Sequence, residues 1–252
     1  MASPAPPRPA GRREQQRRET ERLIIAAALA LFTAQGFADT TTKQIADAAG
    51  VAHGTVFLVA PTKDALLVKV LEARLREVVA ERSATLPARG LVAQLAHVFD
   101  GLFAFYAGAP ALARVFLRNV MFFAEPVAQA VYEEHVARFA RHLAGLVAAA
   151  QAHGELAATV DAERAAHAVL ALYVYEVVAF LNAPAPELAG LRARFRAALD
   201  LVVAGLTAGA GADRGASSGT ARRRSPTRPT RRGTPGGTPG SPRGRTRASS
   251  PR

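Results

Sequence analysis

Between Gln16 and residue 207 no stretch alternates apolar and polar side chains with the period of two that a half-buried strand requires; the apolar residues recur at helical spacing instead. A chain patterned this way folds as helices packed on helices, because each helix carries an apolar stripe that must be buried against another. Gly and Pro punctuate the pattern into nine expected helices, over 16 to 35, 42 to 49, 54 to 60, 63 to 85, 90 to 107, 110 to about 123, 126 to 152, 161 to 182 and 187 to 206. The expected fold class is all-α, with three short helices first and then longer ones. After Leu206 no large apolar side chain occurs, and Gly, Ser, Thr, Pro and Arg take over, so residues 208 to 252 are expected to be a disordered tail and residues 1 to 11 a disordered arm.

Charge follows the same division. The net charge of +12 is concentrated at the two ends: six Arg against three Glu in residues 1 to 22, and eleven Arg against Asp213 alone in residues 208 to 252. The middle holds 15 basic and 16 acidic residues and is nearly neutral. Basic ends on a neutral body suit contact with a polyanion, nucleic acid first and a membrane surface second. The Arg-rich segment 12 to 22 followed by apolar Leu23 to Phe32 imitates an export signal, but Glu19 and Glu21 precede the apolar run and no small-x-small site closes it. His167 and Glu176 interrupt the apolar stretch 165 to 181, which is short for a span. A cytoplasmic protein without a membrane partner is expected. Zero Cys excludes disulfides and thiolate chemistry.

The segment from Thr40 to Leu67, TTTKQIADAAGVAHGTVFLVAPTKDALL, constrains function most. Thr41 and Gln44 have the spacing of a capping box, and Ile45, Ala49, Val51 and Val56 are apolar where two crossed helices meet. Ala46 supplies the small side chain that a close crossing needs, and Gly50 the left-handed turn residue four positions later. The pattern reads as a helix-turn-helix, with a plain helical hairpin as the alternative.

Residues from about Glu21 to Leu71 resemble the amino-terminal domain of the TetR family of transcriptional regulators. The likeness lies in Leu31, Phe32, Gly36 and Phe37, in Thr41, Thr42, Ile45, Ala46, Ala49, Gly50 and Val51, in Gly54 to Phe57, and in Pro61 to Leu67. The resemblance implies a DNA-binding domain at 12 to 61, a helical regulatory and dimerisation domain at 62 to 207, and a homodimer that represses transcription from a near-palindromic operator until a small-molecule effector binds. Helix starts offer free amides and side chains to the groove, which places Thr42, Lys43, His53, Gly54 and Thr55 against double-stranded DNA. Phe57 and Lys63 join them, Lys63 either as a phosphate contact or as a solvated first-turn lysine, with Arg17 and Arg18 on the basic arm. The chain departs from the family where Tyr is usual at 57 and His or Tyr at 59, having Phe57 and Val59, and Ala60 follows. Weaker or more salt-sensitive operator binding is therefore expected.

The effector identity is not legible. Candidate cavity residues are Phe99, Phe103, Tyr106, Phe122, His135, Tyr173 and Glu176, the aromatic and polar positions on otherwise apolar helix faces. Glu176 within YVYEVVAFL needs a partner if buried: a cationic ligand, a group across a dimer interface, or water. By the resemblance, Leu170, Val174, Val177, Val178 and Leu181 with Leu191, Phe195, Leu199 and Val202 form the dimer interface, packing within one subunit being the alternative. No phosphate-binding Gly loop follows a strand, His135 and His142 are two turns apart, and no nucleophile, base and orienting group converge, so neither an enzyme, a metal site nor a cofactor is expected. The rival readings are a basic helical DNA-binding protein without effector or sequence preference, and a helical interaction module.

Overall fold

The computed structural model describes residues 11–121 and 126–216. Among them lie nine helices and no strand: α1 Arg12–Gln35, α2 Thr42–Ala49, α3 His53–Val59, α4 Lys63–Ser83, α5 Leu91–Gly108, α6 Pro110–Met121, α7 Pro126–Ala152, α8 Ala162–Asn182 and α9 Leu188–Ala216. Phe122, the Pro-rich start and the Arg-rich segment beyond 216 lie outside the described residues.

Two boundaries differ from expectation by more than two residues. Helix α1 starts at Arg12 rather than near Gln16. Glu14 in its first turn accepts from Arg17 at 2.9 Å and from Arg18 at 2.9 Å, and Glu19 from Arg22 at 2.6 Å, pairs that support the polar, largely exposed first half of the helix. Helix α9 continues to Ala216, past the expected end at 206. Ala208, Ala210 and Ala212 favour helix, and no proline stands in the way before Pro226.

One contiguous core runs through the bundle, from Ile24, Ala28 and Phe32 on α1 to Leu199 on α9. Helix α4 is its axis: Leu66, Leu67, Val68, Val70 and Leu71 are wholly buried, and the helix packs against α1, α5, α6 and α7. Helices α5 and α8 are long and apolar enough to cross a membrane. In the bundle each turns one side inward, α5 through Leu95, Val98, Phe99, Leu102 and Phe103, and α8 through Ala166, Val169, Val177 and Phe180.

The turn between α2 and α3 is built locally. Thr41 Oγ1 accepts from the Gln44 backbone N–H at 3.2 Å while Gln44 Oε1 accepts from the Thr41 N–H at 2.7 Å, closing the capping box. Gly50 ends α2 at φ 67°, ψ 33°, and the Val51 N–H returns to the Ala46 carbonyl at 3.0 Å. A Cβ at Gly50 would meet no atom within 4 Å, so backbone conformation rather than space selects glycine. Ile45, Ala46 and Val56 are buried where the two helices cross.

Candidate nucleic-acid interface and effector cavity

Val56 is the one fully buried residue of helix α3, with Val59 packed partly against the core; Ala60 just after the helix is also buried. His53, Gly54, Phe57 and Leu58 face outward, Phe57 being 45% and Leu58 86% exposed. The helix is therefore free to enter a groove along one side. Its start is tied to the start of α2: Thr42 Oγ1 lies 2.9 Å from His53 Nε2, and the His53 ring meets the Phe57 ring edge-on at 5.3 Å. Thr55 is half-buried, and Lys43 is exposed with its ammonium on Asp47 at 2.9 Å. Leu58 was not singled out in the sequence, although its position two residues after inward-facing Val56 puts it on the opposite side of a helix.

Lys63 has a different occupation from either expected one. Its Nζ donates to the carbonyls of Phe37 at 2.9 Å, Ala38 at 3.2 Å and Thr40 at 3.0 Å, and lies 4.4 Å from the centroid of the Phe37 ring. All three ammonium hydrogens are thus taken by the loop between α1 and α2, leaving none for phosphate. Arg17 and Arg18 are exposed but paired with Glu14, whose carboxyl the two guanidinium hydrogen bonds, Arg17 first, hold down at about 2. Arg12 and Arg13, one turn earlier, are exposed with no ion pair among the described residues.

On the other side of α4 lies a cavity of about 580 Å³, walled by α6, α7 and α8 and reaching Leu75 of α4 and Tyr106 of α5. Tyr106, His135 and Tyr173 line it as expected. Phe99 and Phe103 do not: they are buried behind Tyr173, at 5.0 Å and 5.8 Å between ring centroids, and continue to Phe195. Glu176 also points elsewhere. It is buried and accepts from Arg194 Nε of α9 at 3.0 Å, so its partner is in its own chain rather than a ligand, water or a second subunit. No Lys, Arg, Asp or Glu is among the described lining residues. Inside it the Tyr173 and Tyr106 hydroxyls are 3.0 Å apart, and burial pushes both phenols well above their ordinary range.

His135 connects this cavity to α4. Its Nδ1 lies 3.5 Å from Glu72 Oε1, and the same carboxylate accepts from Arg76 at 3.2 Å and Arg138 at 3.1 Å. Burial alone would raise the Glu72 pKa; the His135 hydrogen bond and the charges of Arg76 and Arg138 outweigh it, and the net shift is downward. One turn earlier on α4, Lys69 reaches Glu21 of α1 at 3.4 Å. A second, smaller cavity of about 300 Å³ shares the His135 and Phe139 wall and adds Ser83, Arg138 and His142. The role of Glu72 is not legible in the sequence because two of its partners, His135 and Arg138, come from another helix. No three His, Asp or Glu side chains cluster as metal ligands among the described residues.

Five of the nine residues expected at a dimer interface are buried inside the chain, and the other four are half-buried. Val177, Leu181, Leu191, Phe195 and Leu199 are core, Leu170, Val174, Val177 and Val178 line the cavity, and Val202 is half-buried. What α8 and α9 leave outside is a different set: Tyr175 at 69% and Leu201 at 76% exposure, among exposed Ala168, Ala171, Ala193 and Ala197. Both helices are apolar over more than one face, and the larger side chains took the inner one.

A capped helix, a left-handed glycine and an outward second helix define a helix-turn-helix DNA-binding protein. Residues 24–70, the segment that holds the helix-turn-helix, match the model of the tetR family of bacterial regulatory proteins. It is similar to solved structures of FadR from Thermus thermophilus, a TetR-family transcriptional repressor in complex with lauroyl-CoA, at 25% identity over 83% of this chain and 100% of that one with a TM-score of 0.57. The fold is also that of FadR from Bacillus subtilis in complex with stearoyl-CoA, at 21% identity, 73% and 98% coverage and TM-score 0.57. Salmonella enterica GusR shares it at 24% identity, 75% and 95% coverage and TM-score 0.54. No curated protein matches the sequence. The chain thus has the fold of a TetR-family transcriptional regulator with an amino-terminal DNA-binding domain.

Proposed function

We propose that this protein is a cytoplasmic, homodimeric repressor that holds a near-palindromic operator and is released by a small molecule entering the cavity between α6, α7 and α8. The observation that carries the reading is that α4 serves both ends: Lys63 clamps the loop ahead of the helix-turn-helix, and Leu75 and Glu72 reach the cavity and its wall. Residues 12–61 act as the DNA-binding domain and 62–207 as the regulatory and dimerisation domain. Thr42, Lys43, His53, Gly54, Thr55 and Phe57 meet base edges and phosphates, with Arg17 and Arg18 beside Arg12 and Arg13 adding counterion-release affinity. Lys63 acts indirectly, by holding the loop. The role is binding, without catalysis.

The α8 and α9 faces bearing Tyr175 and Leu201 join two copies, and twofold symmetry sets the recognition helices about one helical turn, roughly 34 to 36 Å, apart. Thermus thermophilus FadR, a repressor by its description, lends support to the direction of regulation. The effector shifts the population toward a helix separation that no longer fits the operator.

Footprinting on the DNA flanking its own gene tests this. The expected result is a protected short palindrome, preferred over bulk DNA by about a thousandfold or more. Equal affinity for all duplexes would select a generic basic binder, and no duplex binding at low salt would leave a helical interaction module.

A further inference from the structure

Taking the cavity of about 580 Å³ as the effector site, on which the proposed function rests, its lining also says what kind of molecule it takes. The described wall is Leu, Val, Phe, Met and Ala apart from four phenols, Tyr106, Tyr132, Tyr173 and the exposed Tyr175, and two imidazoles. One imidazole, His135, turns its Nδ1 to Glu72, so any positive charge on it is already met within the protein. The other, His167, sits at the exposed rim with its Nδ1 2.7 Å from the Glu163 carbonyl. A carboxylate, phosphate or ammonium carried into this wall would lose its water and gain no opposite charge.

One pair of these phenols makes a polar demand. Tyr106 is 97% buried, and the half-buried Tyr173 lies against it. Two hydroxyl hydrogens meet one shared hydrogen bond of 3.0 Å, so whichever phenol donates to the other, one hydrogen has no acceptor among the described residues. Buried donors are rarely left unmade, and here the missing acceptor has a cavity of ligand size in front of it.

We infer that the cavity takes an uncharged, largely apolar molecule of drug-like size bearing one hydrogen-bond acceptor, a ketone, ester or ether oxygen, which seats on the Tyr106–Tyr173 pair. A carboxylate is excluded by the wall, and a nucleotide-headed thioester by the lack of basic residues among the described lining.

Calorimetric titration of the full-length chain with three compounds of one shape tests this. 2-Acetylnaphthalene offers a neutral acceptor, 2-naphthoate replaces it by an anion, and naphthalene has no acceptor. The ketone should bind at least about tenfold more tightly than the anion. In the Tyr106→Phe/Tyr173→Phe double variant, which keeps both rings, the ketone should weaken by about fivefold to tenfold while naphthalene is unchanged. Tighter or equal binding of 2-naphthoate or of lauroyl-CoA overturns the inference, as does failure of both neutral compounds to bind or an unaltered ketone in the double variant. Operator release is scored separately: a ketone that binds yet leaves the operator held sinks the effector reading alone, whereas lauroyl-CoA that binds and releases the operator sinks the ligand class alone.

Discussion

The ammonium of Lys63 sits 4.4 Å from the centre of the Phe37 ring and donates to that same residue's carbonyl at 2.9 Å. With the Ala38 and Thr40 carbonyls it closes the loop between α1 and α2 onto the first turn of α4. Replacing Lys63 by Met should therefore destabilise the amino-terminal helices, by about 1 to 3 kcal/mol, before it touches DNA affinity. Denaturant unfolding checks it; unchanged stability with weakened operator binding would return Lys63 to the phosphate backbone.

Phe57 offers the groove an apolar edge where a hydroxyl could donate to phosphate. Phe57→Tyr adds that donor on an exposed ring, and operator affinity should rise by about twofold to tenfold with stability unmoved. Anisotropy titration at two salt concentrations reads the gain, and no gain would count against the loss of backbone anchoring at this position.

At Gly50 only the backbone conformation resists a side chain. Gly50→Ala should cost about 1 to 2 kcal/mol, the left-handed penalty without a steric addition, and Gly50→Asn less. Thermal denaturation of the two variants checks the order; equal loss would show that crowding, not φ, is at work.

Glu72 makes stability depend on acid. Its folded pKa lies below its unfolded value, so its contribution is present above the unfolded carboxylate range and is lost as pH falls through the folded value. Glu72→Gln, which strands Arg76 and leaves Arg138 only Glu134, should lower stability at neutral pH by about 1 to 3 kcal/mol, with the gap to wild type closing below about pH 4. Unfolding curves from pH 7 to pH 3 measure it, and a constant gap would mean the carboxylate's charge is irrelevant.

The outer faces of α8 and α9 separate association from folding. Leu201→Asp should leave a folded monomer, because Leu201 touches solvent, whereas Leu199→Asp should unfold the chain, because Leu199 is wholly buried. Sedimentation and circular dichroism of both variants decide it; a dimeric Leu201→Asp protein would move the interface elsewhere.

What was legible in the sequence was local. The Thr41–Gln44 box, the turn at Gly50 and inward Val56 each depend on neighbours within a few residues, and the family resemblance was carried by that same segment. What escaped required distant partners. Lys63 could not be assigned to the Phe37 and Thr40 carbonyls, 26 and 23 positions earlier, nor Tyr106 to Tyr173, 67 positions later. Leu181 and Leu199 were expected between subunits because an apolar stripe looks the same whether its cover is another helix of the chain or a second copy. The Ala-rich face beside Tyr175 went unread because alanine also serves simply to favour helix.

Helix α4 runs without interruption from Lys63 to Ser83, and Leu75 stands about 18 Å along it from Lys63 at 1.5 Å per residue. A stiff rod gripped at one end by three carbonyls and pressed at the other by whatever fills the bundle has no joint in which a displacement could dissipate. A guest that nudges Leu75 must tilt the lysine's anchorage too, and the reading head with it.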